Sequence, residues 1–136
     1  MSKGISFLVL AVWGFLSMYL VEKPPFSANS GIKTDVLVIG GGAGGVAAAV
    51  QSARMGANTI LVVDGPWLGG MLSAAGVSAT DGNHELHSGL WHEFVKGLYK
   101  HYGGAPKLAT GWVSNTQFEP HVADSLFKHM VFAEKK

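Results

Sequence analysis

The segment Asp35–Asp64, DVLVIGGGAGGVAAAVQSARMGANTILVVD, places a glycine-rich run directly after a short apolar run. Gly40, Gly42 and Gly45 fit the pattern G-x-G-x-x-G. In a strand–turn–helix unit the first glycine allows the tight turn, and the second lets a pyrophosphate approach the backbone. The third lets the following helix pack closely on the strand. The segment therefore predicts a dinucleotide-binding turn.

The residues on both sides of the glycines have the pattern that such a turn requires. Asp35–Ile39 is apolar and rich in β-branched residues, which is typical of a strand buried on both faces of a parallel sheet. Gly44–Met55 predicts a helix that ends at Gly56. Thr59–Val63 predicts a second strand, parallel to the first and joined to it by a right-handed crossover. The fold class is thus α/β, with a Rossmann-like βαβ unit.

An acid closes the second strand, as the dinucleotide fingerprint requires. Asp64 lies 24 positions after Gly40 and could accept hydrogen bonds from both ribose hydroxyls. Its charge opposes a 2′-phosphate, which disfavours NADP but leaves both NAD and FAD open. A second glycine pair, Gly69 and Gly70, favours FAD, because a longer cofactor needs more bare backbone beside it.

Asp35–Leu72 resembles the N-terminal FAD-binding segment of the glutathione-reductase-like flavoproteins. Further along, AAGVSATDGNHELHSGLWHEF and TGWVSNTQFEP resemble a bacterial group of FAD-dependent oxidoreductases that are often exported. The resemblance extends roughly from Asp35 to Met130 and implies the N-terminal part of a doubly wound FAD-binding domain. That family commonly has Glu where this chain has Asp64. Because Asp64 is the shorter acid, an NAD-binding module remains an alternative to an FAD-binding one.

The resemblance also implies a role for each matching residue. Those assigned to the cofactor are Gly40, Gly42 and Gly45 as the diphosphate turn, Ala43 and Gly44 through their N–H groups, Asp64 at the adenosine ribose, and Gly69, Gly70 and Met71 beside the inner part of FAD. The family chemistry is hydride transfer from a small-molecule substrate to the flavin. Neither the substrate nor a catalytic residue follows from the sequence.

Composition excludes several other functions. The net charge is +1 and no basic cluster occurs, so nucleic-acid binding has no electrostatic support. The chain has no cysteine, which excludes disulfides, a thiolate zinc site and a thiol nucleophile. Redox chemistry would therefore require a bound cofactor.

The N-terminal region has the parts of a secretory signal. Lys3 precedes the apolar run Gly4–Val21, and the small residues of FSANSG follow before Gly31. We expect residues 1–30 to be a cleaved signal peptide that directs export to the periplasm or the exterior. An uncleaved membrane anchor through residues 4–21 and a buried core helix are the alternatives. Residues 31–136 form the expected FAD-binding domain, which we expect to be incomplete at its C-terminus because only two strands are evident.

The second half of the chain predicts two helices whose apolar stripes serve core packing. One contains Leu90–Tyr102 and ends at Gly103, and the other begins at Pro120. Three of the six histidines in this half, His84, His87 and His92, lie close together in the sequence. Their spacing does not predict a metal site, so we expect solvated or capping side chains, with one acting as an acid or base near a flavin as the alternative.

Three classes of function remain open from the sequence. The first is the N-terminal portion of an FAD-dependent oxidoreductase, which we expect to be inactive as this chain alone. The second is a membrane-anchored NAD-binding or nucleotide-binding module. The third is a truncated, non-catalytic remnant.

Overall fold

The computed structural model describes residues 31–81, 86–109 and 116–134. The chain divides into two units, Met1–Ile32 and Lys33–Lys136. The segment predicted to be a signal peptide or anchor lies outside the described residues, so its fate stays a prediction. Within the described ranges, no helix has the length and apolar character needed to cross a membrane.

The first three elements form a βαβ unit. Strand β1 is Val36–Ile39, helix α1 is Ala43–Arg54, and strand β2 is Thr59–Val62. The two strands pair in parallel, with α1 as the connection between them. This confirms the predicted parallel strands and their connecting helix to within one residue at each end. Gly56 follows α1 with φ of +91°, the left-handed conformation expected after a helix end.

The two faces of this small sheet have different surroundings. Val38 and Leu61 lie on the face that α1 covers, and Leu61 packs against the core. On the other face, Leu37 is 56% exposed and Ile39 is 79% exposed. The sequence predicted strands buried on both faces, which is wrong for the described residues. The described helices cover only one face, and no other described element covers the second apolar face.

Two further helices complete the described fold. Helix α2 is Gly89–Tyr102 and helix α3 is Pro120–Ala133. Pro120 occupies the first turn of α3, and Gly103 ends α2 with φ of +85°. Both helices therefore begin or end at the residue that the sequence predicted.

The apolar stripes of the three helices meet in one core. Phe94 of α2 stacks on Phe127 of α3, with ring centroids 4.7 Å apart, and meets Phe118 edge to face at 5.6 Å. The other buried apolar residues of this core are Val46, Val50, Leu68, Val95, Leu98, Leu108, Val122 and Ala123. This confirms that the two predicted stripes serve packing. It also places α3 beside the loop that follows β2, where Leu68 lies.

Candidate functional site

The first glycine forms the turn out of β1. Gly40 has φ of +111°, a conformation that side-chain-bearing residues rarely adopt. Its N–H donates to the carbonyl oxygen of Val62 at 2.8 Å, so the turn starts beside the carboxyl end of β2. The predicted reason for glycine at this position is therefore present in the structure.

The third glycine allows α1 to begin directly against this turn. A Cβ atom on Gly45 would lie 2.0 Å from the carbonyl oxygen of Gly40 and 3.7 Å from Cγ1 of Val38. Atoms cannot approach that closely without rearrangement, so only glycine fits. This is the close approach of helix and strand that the spacing predicts.

The second glycine has no such internal requirement. Gly42 has φ of −66°, which any residue can adopt. A Cβ atom on Gly42 would meet no atom of the described residues within 4 Å, and the same is true of Gly44. Neither backbone strain nor protein packing explains the bare backbone at Gly42. Approach of a ligand to that backbone does explain it, so these residues fit the diphosphate of a dinucleotide.

The N-terminus of α1 is open to an anion. It has no side-chain cap and no acidic residue in its first turn. The N–H of Val46 donates to the carbonyl oxygen of Gly42 at 2.9 Å, whereas the N–H of Gly44 bonds to no acceptor among the residues described. Free N–H groups and the partial positive charge of a helix start together favour a phosphate group.

The structure brings the second glycine pair onto the first turn. Gly69 forms a parallel bridge with Gly42, and its N–H donates to the carbonyl oxygen of Gly41 at 2.7 Å. A Cβ atom on Gly70 would lie 3.1 Å from Cα of Gly42. Protein contacts therefore account for part of the glycine requirement here. The exposed Met71 follows this pair.

The acid at the end of β2 lies beside the same turn. Val63, which precedes Asp64, is so close to Gly41 that a Cβ atom there would be 2.8 Å from Val63 Cγ1. Asp64 is exposed and lines an open cleft of about 270 Å³ together with Trp67 and Ser73. A larger cavity of about 520 Å³ lies at the amino end of β2, away from the glycine turn.

Two of the three histidines singled out from the sequence lie within the described residues. His84 lies outside the described residues, and the rings of His87 and His92 meet edge to face at 5.2 Å. The pKa of His92 is lowered by loss of solvation first, and then by the nearby charges of Lys96 and His87. In the described ranges, no three His, Asp or Glu side chains form a group that could hold a metal ion.

Sequence reasoning missed one residue that contacts the loop after β2. Asp124 of α3 is buried, and its Oδ1 accepts a hydrogen bond from the N–H of Leu68 at 2.8 Å. The available signal was an acid one turn before Phe127, on the same helix face as that core residue.

The chain belongs to the family of FAD-dependent oxidoreductases, whose family model matches residues 35–136. Its cofactor is accordingly FAD, as the sequence predicted from the second glycine pair and the resemblance. No solved structure matches the chain significantly.

A curated relative also shares part of the chain. Over 61 residues, the chain is 39% identical to the sarcosine oxidase subunit alpha of Corynebacterium sp. (strain U-96). The aligned segment is 45% of this chain and 6% of that subunit, so the chain spans a small part of this relative.

Proposed function

We propose that the chain is the N-terminal FAD-binding portion of a glutathione-reductase-like oxidoreductase. The reaction of such an oxidoreductase is the transfer of hydride from a small-molecule substrate to the flavin. The observation that supports it most is the bare backbone at Gly42, which neither strain nor packing requires. This backbone lies at the uncapped start of α1, where free N–H groups favour phosphate oxygens.

The proposed contacts follow the chain from one glycine turn to the other. Gly40–Gly45 would hold the diphosphate, with Ala43 and Gly44 donating their N–H groups. The carboxylate of Asp64 would accept hydrogen bonds from the adenosine ribose. Gly69–Met71 would lie beside the inner part of the cofactor. FAD supplies the electron-accepting ring, while the chain binds and orients it.

No substrate is carried over from the curated relative. Its name concerns sarcosine, but the shared segment is only 6% of that subunit. In a flavoprotein the diphosphate turn binds the cofactor, and other contacts select the substrate. A glycine turn of this kind therefore supports the assignment of the cofactor and of the reaction class, but it does not identify the substrate.

We further propose that residues 1–30 direct export, because Lys3, the apolar run Gly4–Val21 and FSANSG occur in the order of a secretory signal. The N-terminal residue of the protein recovered from cells tests this. A mature protein that begins at Gly31 is expected, and an intact N-terminus in the membrane fraction would instead show an anchor.

The FAD site is tested by Gly42→Val. The variant should stay folded without ligand, with at most a modest loss of stability from a poorer N-cap, because a Cβ atom at Gly42 would meet no atom of the described residues within 4 Å. It should lose at least about tenfold in FAD affinity, which corresponds to 1.4 kcal/mol, because the methyl groups occupy the path of the phosphate. Quenching of flavin fluorescence measures the affinity, and thermal unfolding without FAD measures the stability.

Ala48→Val is the matched control. It adds two methyl groups to an exposed position of α1, away from the helix start, and should leave FAD affinity unchanged. If Gly42→Val binds FAD as tightly as the wild type does, the proposed site is wrong. Tighter binding of NAD than of FAD by the wild type would favour a nucleotide-binding module instead.

A further inference from the structure

A buried carboxylate connects α3 to the loop that follows β2. Asp124 lies within α3 on the side that faces the core, and its Oδ1 accepts the N–H of Leu68 at 2.8 Å. Its Oδ2 pairs with Lys128, one turn later, at 2.7 Å. Each carboxylate oxygen therefore has a partner, which a buried charge requires. The ion pair compensates the charge, and the other oxygen is free to hold the loop.

Side chains rather than secondary structure satisfy both backbone groups of Leu68. Asp124 accepts its N–H, and the hydroxyl of Ser73 donates to its carbonyl oxygen at 2.6 Å. The Leu68 side chain is itself in the core. A loop residue fixed at its N–H, its carbonyl and its side chain has little freedom to move. The position of the next residue, Gly69, is therefore closely defined.

The position of Gly69 sets the spacing between the two glycine segments. The N–H of Gly69 donates to the carbonyl oxygen of Gly41 at 2.7 Å. On its other side, a Cβ atom on Gly69 would lie 2.5 Å from two ring atoms of Phe127, which is also in α3. Helix α3 thus contacts this loop twice, through Asp124 at Leu68 and through Phe127 at Gly69.

We propose that Asp124 is a positioning residue for cofactor binding. By holding Leu68, it keeps Gly69 and Gly70 against the turn Gly40–Gly45 before the ligand arrives. A site arranged in advance binds more tightly, because less freedom is lost on binding. A carboxylate suits this task, because a hydrogen bond to a charged acceptor is stronger than one to a neutral acceptor. The inference rests on the proposed function, in which both glycine segments contact FAD.

Two ligands separate positioning of the second segment from a general effect on the fold. ADP carries the diphosphate and the adenosine, so it probes the first turn and Asp64. FAD also reaches the proposed contacts at Gly69–Met71. Loss of the Asp124 anchor should therefore weaken FAD more than ADP. A purely structural role would weaken both ligands equally.

The experiment compares Asp124→Ala, Asp124→Asn and Lys128→Met in the full chain. Asp124→Ala removes the acceptor and should weaken FAD about tenfold relative to ADP, since a hydrogen bond to a charged group contributes on that scale. Asp124→Asn keeps an amide oxygen for Leu68 and should stay within about threefold of the wild type. Lys128→Met keeps the acceptor for Leu68 but leaves the buried charge of Asp124 without its ion pair, so it should lower stability while leaving the ratio of FAD to ADP affinity unchanged.

The outcomes distinguish this inference from the proposed function. Equal loss of FAD and ADP in Asp124→Ala, or no loss at all, would overturn the inference and leave the FAD site intact. A wild-type chain that binds neither ligand would overturn the proposed function and this inference with it. If Asp124→Ala fails to fold, Asp124→Leu removes the acceptor while keeping the buried volume filled.

Hydrogen exchange tests the anchor without any substitution. In the wild type, the Leu68 amide should exchange slowly before FAD is added, because its N–H is already bonded to Asp124. The amides of Gly70 and Met71 should become protected only after FAD is added. Fast exchange at Leu68 in the absence of FAD would show that the loop is not held in advance, and would overturn the inference.

Discussion

Gly44 and Gly45 are neighbours at the start of α1, yet a methyl group would meet different surroundings at each. At Gly44 it would enter open space, and at Gly45 it would lie 2.0 Å from the carbonyl oxygen of Gly40. The glycine-rich run therefore combines two separate requirements. One is packing of the helix on the strand, and the other is open backbone on the side of the helix start. Substitution of single residues can separate them.

Gly45→Ala should destabilise the chain by at least about 2 kcal/mol in the absence of FAD, because its methyl group forces the turn and the helix apart. Gly44→Ala should instead stabilise it by up to about 1 kcal/mol, because alanine is the better helix former and meets no obstacle. Urea unfolding of both variants without FAD is the measurement. A similar change in both would mean that the helix start does not pack on the turn as described.

The protonation of His92 gives a second prediction for a single residue, and this one depends on pH. Loss of solvation, Lys96 and His87 lower its pKa, so the folded state binds its proton less readily than the unfolded state does. The contribution of His92 to stability should therefore decrease as the pH falls through its unfolded pKa towards its folded pKa. An NMR titration should give a His92 midpoint below the ordinary histidine value. Lys96→Met should raise that midpoint, and an unchanged midpoint would exclude a role for Lys96.

Local signals in the sequence were sufficient to predict the elements themselves. Apolar periodicity and end residues such as Gly56, Gly103 and Pro120 act within a few positions, so β1, α1, β2, α2 and α3 could be read from short segments. The bond between Asp124 and Leu68 joins residues 56 positions apart. No local pattern specifies such a pair, because it depends on how α3 packs against the loop. The sequence alone showed only that Asp124 is an acid on an otherwise apolar helix face.

The three helices are also joined at their polar surface by a single arginine. Arg54, the last residue of α1, pairs with Glu93 of α2 at 3.0 Å and with Glu134, just after α3, at 2.8 Å. These two carboxylates raise the pKa of Arg54, because each accepts a hydrogen bond from its guanidinium. All three side chains are partly exposed, so solvent weakens both pairs.

Arg54→Met should therefore cost no more than about 1 kcal/mol of unfolding free energy, and the cost should shrink at high salt. Glu93→Gln and Glu134→Gln should each remove part of this effect. Double-mutant cycles with Arg54→Met measure the coupling of each pair. A loss that is independent of salt would indicate that packing of the arginine stem matters more than its charge.

Within the described residues, one face of the sheet is buried and the other is exposed. Leu37, Ile39 and Val62 are exposed apolar residues of the strands, and in the described part of the chain each of the two strands has an unpaired edge. An exposed apolar face with free edges favours association between copies. Stability should also be low, because small domains bury a lower fraction of their surface than large domains do.

Residues 31–136, expressed with added FAD, should accordingly associate with increasing concentration and unfold at a low midpoint temperature. Ile39→Thr should reduce this association in sedimentation experiments, because it removes apolar surface from the outer face while keeping a β-branched residue in the strand. Val38→Thr is the matched control. Val38 faces α1 near Gly45, so this variant should lose stability without gaining solubility. A soluble wild-type monomer with a high midpoint temperature and sub-micromolar FAD affinity would contradict the expectation. It would show that these residues form a complete small flavin-binding domain.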